Sequence, residues 1–247
     1  VSLDIIAISP HPDDAELYCS GALLMMKRAG RRIGIVDLTR GELSTRGAPE
    51  LRSKESAAAS AVLGLDARVN VGIPDGDISN TFENRLALIR TIRALRPGTL
   101  LIPPRADRHP DHEHASALAR DAAFAAGLEK VRTEIEGVPQ RPHRPARIFA
   151  YMMTWDFQPP IIVDVSGAQE RKMAAIRCYA SQFHTGVDTE GPDTYISTPD
   201  FIEALVARSR RLGFLIGARY GEGYEPMQPL GLPVDRMMGD VTLWESE

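Results

Sequence analysis

With 247 residues, 43% apolar and 25% charged, the chain has ordinary globular usage, which excludes a disordered tail protein. Lys and Arg number 29 against 33 Asp and Glu, a formal charge of −4, so the basic patch that nucleic-acid partners need is missing. Two distant cysteines, no run of eighteen apolar residues and no basic and apolar leader predict a cytoplasmic protein that does not engage the membrane.

Ile5 to Ile8 form a short apolar run that stops at Ser9-Pro10-His11-Pro12-Asp13-Asp14, read as a strand giving way to a helix that continues to about Ala29. Gly30 stops that helix, and Ile33 to Leu38 is the next strand, followed by a long polar loop. From about Glu50 the spacing of Leu51, Ala58, Val62 and Leu65 predicts a second helix, with a third strand over Arg68 to Val71 and a turn at Pro74-Asp75-Gly76-Asp77. Leu86, Ile89, Ile92 and Leu95 recur at helical spacing until Pro97-Gly98, and Thr99 to Ile102 reads as a fourth strand. A helix through Ala115, Leu118 and Ala122 ends near Gly127, and an exposed Pro/Arg/His-rich stretch covers Gly137 to Arg147. Strands at Ile148 to Met152 and Ile161 to Val165, and helices at about Ala168 to Tyr179 and Pro199 to Leu212, precede a segment, Ala218 to Tyr224, that leads into an irregular Pro/Gly-bearing tail. No repeat or linker divides residues 1–247, so one domain is expected.

Strands separated by helices of this length imply an α/β fold: a doubly wound, mostly parallel, Rossmann-like sheet with helices on both faces. In the common order 3-2-1-4 the first and fourth strands are neighbours, and ligands bind at the crevice beyond their carboxyl ends. The loop after the first strand holds His11-Pro12-Asp13-Asp14, and the loop after the fourth holds His109-Pro110-Asp111-His112. Two His/Asp clusters remote in sequence therefore meet at one crevice.

Imidazole and carboxylate are ligands for a cation such as Zn²⁺, and a catalytic site uses three of them with one position left open. Folding at this length removes roughly 70 to 75% of the surface from water, so the core needs no structural metal and an ion would serve chemistry. His11 and Asp14, three apart on a tight turn, can reach one ion, and one histidine of the second cluster closes the set. Asp13 is left beside the ion, free to act as a base. The bland alternative is that Asp13, Asp14 and Asp111 are helix N-caps. Zn²⁺ is preferred on ligand type, although Fe²⁺ also accepts two imidazoles and a carboxylate.

The paired motifs resemble the signature of the LmbE-like, or PIG-L, zinc-dependent N-acetylglucosaminide deacetylases. Asp37-Leu38-Thr39-Arg40-Gly41-Glu42-Leu43, Arg46-Gly47, Pro74-Asp75-Gly76, Asp107-Arg108, Cys178-Tyr179-x-Ser181-Gln182-Phe183 and Tyr220-x-Glu222-Gly223 resemble the branch that deacetylates N-acetylglucosaminyl malate in bacillithiol biosynthesis. The resemblance implies His11, Asp14 and His112 as zinc ligands and Asp13 as general base. It further implies His109 as the donor at the acetyl oxygen, Asp111 orienting its ring, and Arg52 at the oxyanion. Glu42 and Asp75 are candidates for sugar hydroxyls. Arg108, with Arg40, Arg46 and Arg105, is a candidate for the malate carboxylates. His184, after Gln182-Phe183, could reach the pocket, but a lone histidine is more often structural. The implied partner is a small acetylated amino sugar, and the family implies a homo-oligomer. Three departures stand out: Pro10 where alanine is common, Tyr18 where glycine is usual, and Asp107 where mycothiol-branch relatives carry a tyrosine.

Overall fold

The computed structural model describes residues 2–183, 192 and 194–231. Its first half alternates strand and helix: β1 (Ile5–Ser9), α1 (Asp14–Tyr18), α2 (Ser20–Arg28), β2 (Ile33–Asp37), α3 (Pro49–Leu63), β3 (Ala67–Asn70), α4 (Phe82–Leu95), β4 (Thr99–Ile102) and α5 (Pro110–Ala126). A small antiparallel hairpin, β5 (Glu134–Ile135) with β6 (Val138–Pro139), comes next. It is followed by β7 (Arg147–Tyr151), β8 (Ile161–Asp164), α6 (Gln169–Arg177), α7 (Pro199–Leu215) and β9 (Gly221–Pro226). His184 lies outside the described residues.

Seven strands form one sheet in the order β3-β2-β1-β4-β7-β9-β8, so the expected 3-2-1-4 arrangement holds. β1 pairs in parallel with both β2 and β4, setting Ile5 opposite Ile33 on one side and Thr99 on the other. β1 and β2 are buried along their whole length, as strands covered on both faces must be. Alternate residues feed separate cores. Ala7, Ile35 and Leu101 pack with α1, α2, α3 and α6, while Ile6, Ile8, Leu100 and Ile102 pack with α4 and α5. No described helix is long and apolar enough to cross a membrane.

Local chemistry ends the elements where the loops need them. α3 stops at Gly64, which takes the left-handed conformation (φ 67°) that glycine adopts without a Cβ clash. α4 starts at Thr81, whose hydroxyl accepts the Asn84 N–H, and α5 starts at Pro110, preset for a first helical turn.

Two expectations are corrected. The helix from Asp14 to Ala29 is broken at Cys19, because the N–H groups of Gly21 and Ala22 turn to the buried Glu222 carboxylate at 2.9 and 2.8 Å. The segment Ala218 to Tyr224, to which the sequence assigns no element, runs into β9, and that strand continues to Pro226 and inserts antiparallel between β7 and β8. Its composition, GEGYEP, has little strand propensity, and tertiary contact decides the matter. A Cβ on Gly221 would come within 2.7 Å of Ile162, so only glycine lets this strand approach its neighbour.

Candidate active site

β1 and β4 lie side by side, so the loops leaving their carboxyl ends share one crevice. The Ser9 hydroxyl folds the first loop back by donating to the His11 carbonyl (2.6 Å) and accepting the Ala15 N–H (3.1 Å). Asp13 pays for the tightness of that turn with a φ of 129°, a region that costs a non-glycine residue about 1–3 kcal/mol and is concentrated at functional sites. Its side chain makes no capping hydrogen bond to α1, so the N-cap reading does not account for Asp13. The cap of α5 is His109, whose Nδ1 accepts the Asp111 N–H at 3.2 Å.

Three donor atoms converge. Asp14 Oδ2 lies 3.1 Å from His11 Nδ1 and 3.5 Å from His112 Nε2, and the trio lies within a sphere that one cation could hold. Carboxylates fix the other nitrogen of each ring, as metal-ligating histidines usually require. His112 Nδ1 meets Asp107 Oδ2 at 2.5 Å, and Asp107 Oδ1 in turn accepts the Trp155 N–H. His11 Nε2 faces Asp75 Oδ1 at 3.1 Å and Asp111 Oδ2 at 3.3 Å. This donor set, two imidazoles and a carboxylate with both rings braced, suits Zn²⁺ or Fe²⁺. His11, His109 and Asp111 form a second, overlapping group of donors.

Electrostatics separate the two adjacent aspartates. Burial pushes the Asp13 carboxyl up to about 7, against the opposing pull of the Arg52 guanidinium. Asp14 feels the same burial, but the His112 and His11 rings outweigh it and bring its carboxyl down to about 2. Burial also lowers the His109 imidazole, helped by His11 and His112 nearby. At neutral pH the turn thus carries one permanent carboxylate and one that exchanges protons.

Arg52, buried on α3, reaches across with Nη2 at 3.3 Å from Asp13 Oδ2 and Nε donating to the Pro12 carbonyl at 3.1 Å. Its buried Nη1 has no hydrogen-bond partner among the described residues. The cavity over these groups measures about 400 Å³, a size suited to a small ligand, and is also lined by Tyr18, Thr154, Gln182, Tyr195 and Arg108. A larger groove of about 710 Å³, lined by Ile5, Leu101 and Phe149 among others, lies away from the His/Asp clusters.

Several anticipated positions differ in detail. The Asp111 carboxylate turns to His11 and to the Gly76 N–H (3.0 Å), while the backbone amide of Asp111 holds the His109 ring. Asp75, expected at sugar hydroxyls, has Oδ1 against His11 and Oδ2 accepting the Leu43 N–H at 2.9 Å. Glu42 is exposed outside the cavity lining, folded back onto the Arg40 N–H. Arg46 is buried, donating to the backbone carbonyls of Ser181 and Pro192. Arg108 lines the mouth. Sequence alone gives no role to the brace supplied by Asp107 or to the wall supplied by Tyr195 and Thr154. An aspartate five residues before a candidate ligand histidine was the available signal for the first.

Comparison with known proteins places the chain in a family. Residues 6–123 match the family model PIG-L, described as GlcNAc-PI de-N-acetylase. The crystal structure of the conserved protein TT1542 from Thermus thermophilus superposes with a TM-score of 0.82 at 40% identity, covering 94% of this chain and 98% of that one. Diacetylchitobiose deacetylase of Thermococcus kodakarensis is 28% identical over 189 residues, 72% of this chain and 70% of its own length. The uncharacterised deacetylase YaiS of Escherichia coli is 30% identical over 149 residues, 55% of this chain and 78% of its own.

Proposed function

The chain belongs to the PIG-L family of de-N-acetylases, and from that membership we propose that it hydrolyses the acetamide of an N-acetylated amino sugar, releasing acetate. The finer reading is N-acetylglucosaminyl malate giving glucosaminyl malate, a step of bacillithiol biosynthesis. The observation that carries the proposal is the convergence of His11 Nδ1, Asp14 Oδ2 and His112 Nε2 beside a buried Asp13 oxygen that accepts no hydrogen bond among the described residues.

His11, Asp14 and His112 would hold a divalent cation, with Zn²⁺ the preferred ion on donor type. When bound, such an ion acts as a Lewis acid and brings water acidity towards neutrality. Asp13, with its carboxyl near 7, takes a proton from the attacking water. Charge develops on the acetyl oxygen, where the unpartnered Arg52 Nη1 and the His109 ring are the available donors. Because His109 Nδ1 already accepts an amide N–H, the neutral ring carries its proton on Nε2, and giving that proton away would leave an imidazolate. Asp13, having gained a proton, is therefore the better acid for the departing amine, and His109 acts as a hydrogen-bond donor. The Asp107 and Asp75 carboxylates hold the ligand rings in their tautomers.

The sequence resemblance to the bacillithiol branch supports the malate glycoside, and so does the Arg108 guanidinium at the mouth, which has no ion pair among the described residues. The diacetylchitobiose deacetylase relative supports a second reading, a neutral acetylated sugar. Metal analysis together with amine release from N-acetylglucosaminyl malate and from diacetylchitobiose tests both. Release from the malate glycoside supports the finer reading, release from chitobiose alone removes it, and release from neither removes the deacetylase proposal.

A further inference from the structure

Tyr195 is 56% exposed at the cavity mouth, yet it is well anchored. Its ring meets Phe201 edge-on at 5.6 Å, Phe201 stacks on Phe183 at 6.1 Å, and Phe183 meets the buried Tyr179 at 6.4 Å. Over the Tyr195 face sits the Arg108 guanidinium, 4.6 Å from the ring centroid. Among the described residues this guanidinium has no ion pair and no hydrogen bond.

The floor of the cavity is acidic, with Asp13, Asp14 and Asp75 lining it and Asp107 and Asp111 behind the ligand rings. Arg52 and Arg108 are the only guanidiniums among the described lining residues, and Arg52 faces Asp13 and the Pro12 carbonyl. Arg108 is thus the cation open to a bound molecule. An arginine side chain loses rotamer freedom when it is fixed, and a ring that holds it before the ligand arrives reduces that cost.

We propose that Tyr195 is a specificity-determining positioning residue, whose ring holds Arg108 so that the cavity selects amino sugars bearing an anionic substituent over neutral ones. This inference rests on the deacetylase reading above. A carboxylate and a phosphate ester share the chemistry that Arg108 recognises.

The test compares N-acetylglucosaminyl malate, N-acetylglucosamine 1-phosphate and neutral diacetylchitobiose as substrates. Tyr195→Ala is expected to raise KM about tenfold for the anionic substrates that the enzyme turns over, to leave kcat within about twofold and to leave the neutral substrate unchanged. Tyr195→Phe, which keeps the ring face, should behave as the native enzyme. Arg108→Ala should add little once Tyr195 is Ala. Equal losses on charged and neutral substrates, or a Phe variant that behaves like Ala, would overturn the inference. Preference for one anion over the other would identify its source. Should the native enzyme hydrolyse none of them, the deacetylase reading fails, and calorimetric titration with malate and inorganic phosphate decides this inference alone. Weaker binding to Tyr195→Ala than to the native protein supports it, and equal binding refutes it.

Discussion

Arg52 Nη2 stands 3.3 Å from Asp13 Oδ2, and that buried oxygen accepts no hydrogen bond among the described residues. The pair is a Coulombic contact without a fixed proton position. It leaves the Asp13 carboxylate available to a proton from solvent or substrate.

Replacing Asp13 by Asn keeps the shape and removes the base. The variant is expected to bind Zn²⁺ with native stoichiometry while turnover falls about 10²–10⁴-fold. Metal content and acetate release, measured on one preparation, check this. A variant with native turnover would dismiss Asp13 from the chemistry.

Arg52→Met removes the charge that holds the Asp13 carboxyl down. The base works when deprotonated, so activity rises with pH through its pKa. Raising that pKa moves the acidic limb of the kcat/KM profile to higher pH. The profile is measured with the cation saturating in both proteins, and a limb that stays in place or moves down contradicts the expectation.

Asp107→Asn exchanges the carboxylate on His112 Nδ1 for an amide. Affinity for the cation should fall about 10–100-fold, as read by competition with a chromophoric chelator. Thermal unfolding should change little by comparison.

Arg93, on α4, is buried with no carboxylate partner among the described residues and donates to the carbonyls of Ala126, Leu128 and Val131 and to the Thr133 hydroxyl, all within 2.9 Å. Arg93→Met strands those acceptors beyond the end of α5 and should destabilise the fold by about 3 kcal/mol. Urea unfolding measures that loss. Deacetylation at low temperature should stay near native, since this cluster is remote from the cavity.

Much of the frame was legible because punctuation and periodicity coincide in this chain. Pro97-Gly98 and Gly64 close helices, apolar runs mark the parallel strands, and both His-Pro-Asp motifs sit in loops leaving strands that the topology makes neighbours. What escaped depends on partners distant in sequence. Cys19 interrupts a good helical pattern because Glu222, some two hundred residues later, captures two amides. The Asp111 carboxylate reaches His11 because the Gly76 amide, on another loop, draws it there. Glu42, a site candidate by its motif, folds back onto the Arg40 N–H outside the cavity lining. Tyr195 has no local motif at all, and only the packing of α7 brings it beside Arg108.

The insertion of β9 between β7 and β8 also sets an order of events at the ribosome. β8 pairs with β9 alone, so it leaves the exit tunnel long before the strand that satisfies its amides has been made. Until Gly221–Pro226 emerges, the nascent chain carries an open edge at Ile161–Asp164 and an uncapped α2. Synthesis stalled within α7 would therefore yield a species inclined to self-association, although both metal-binding motifs had long been translated.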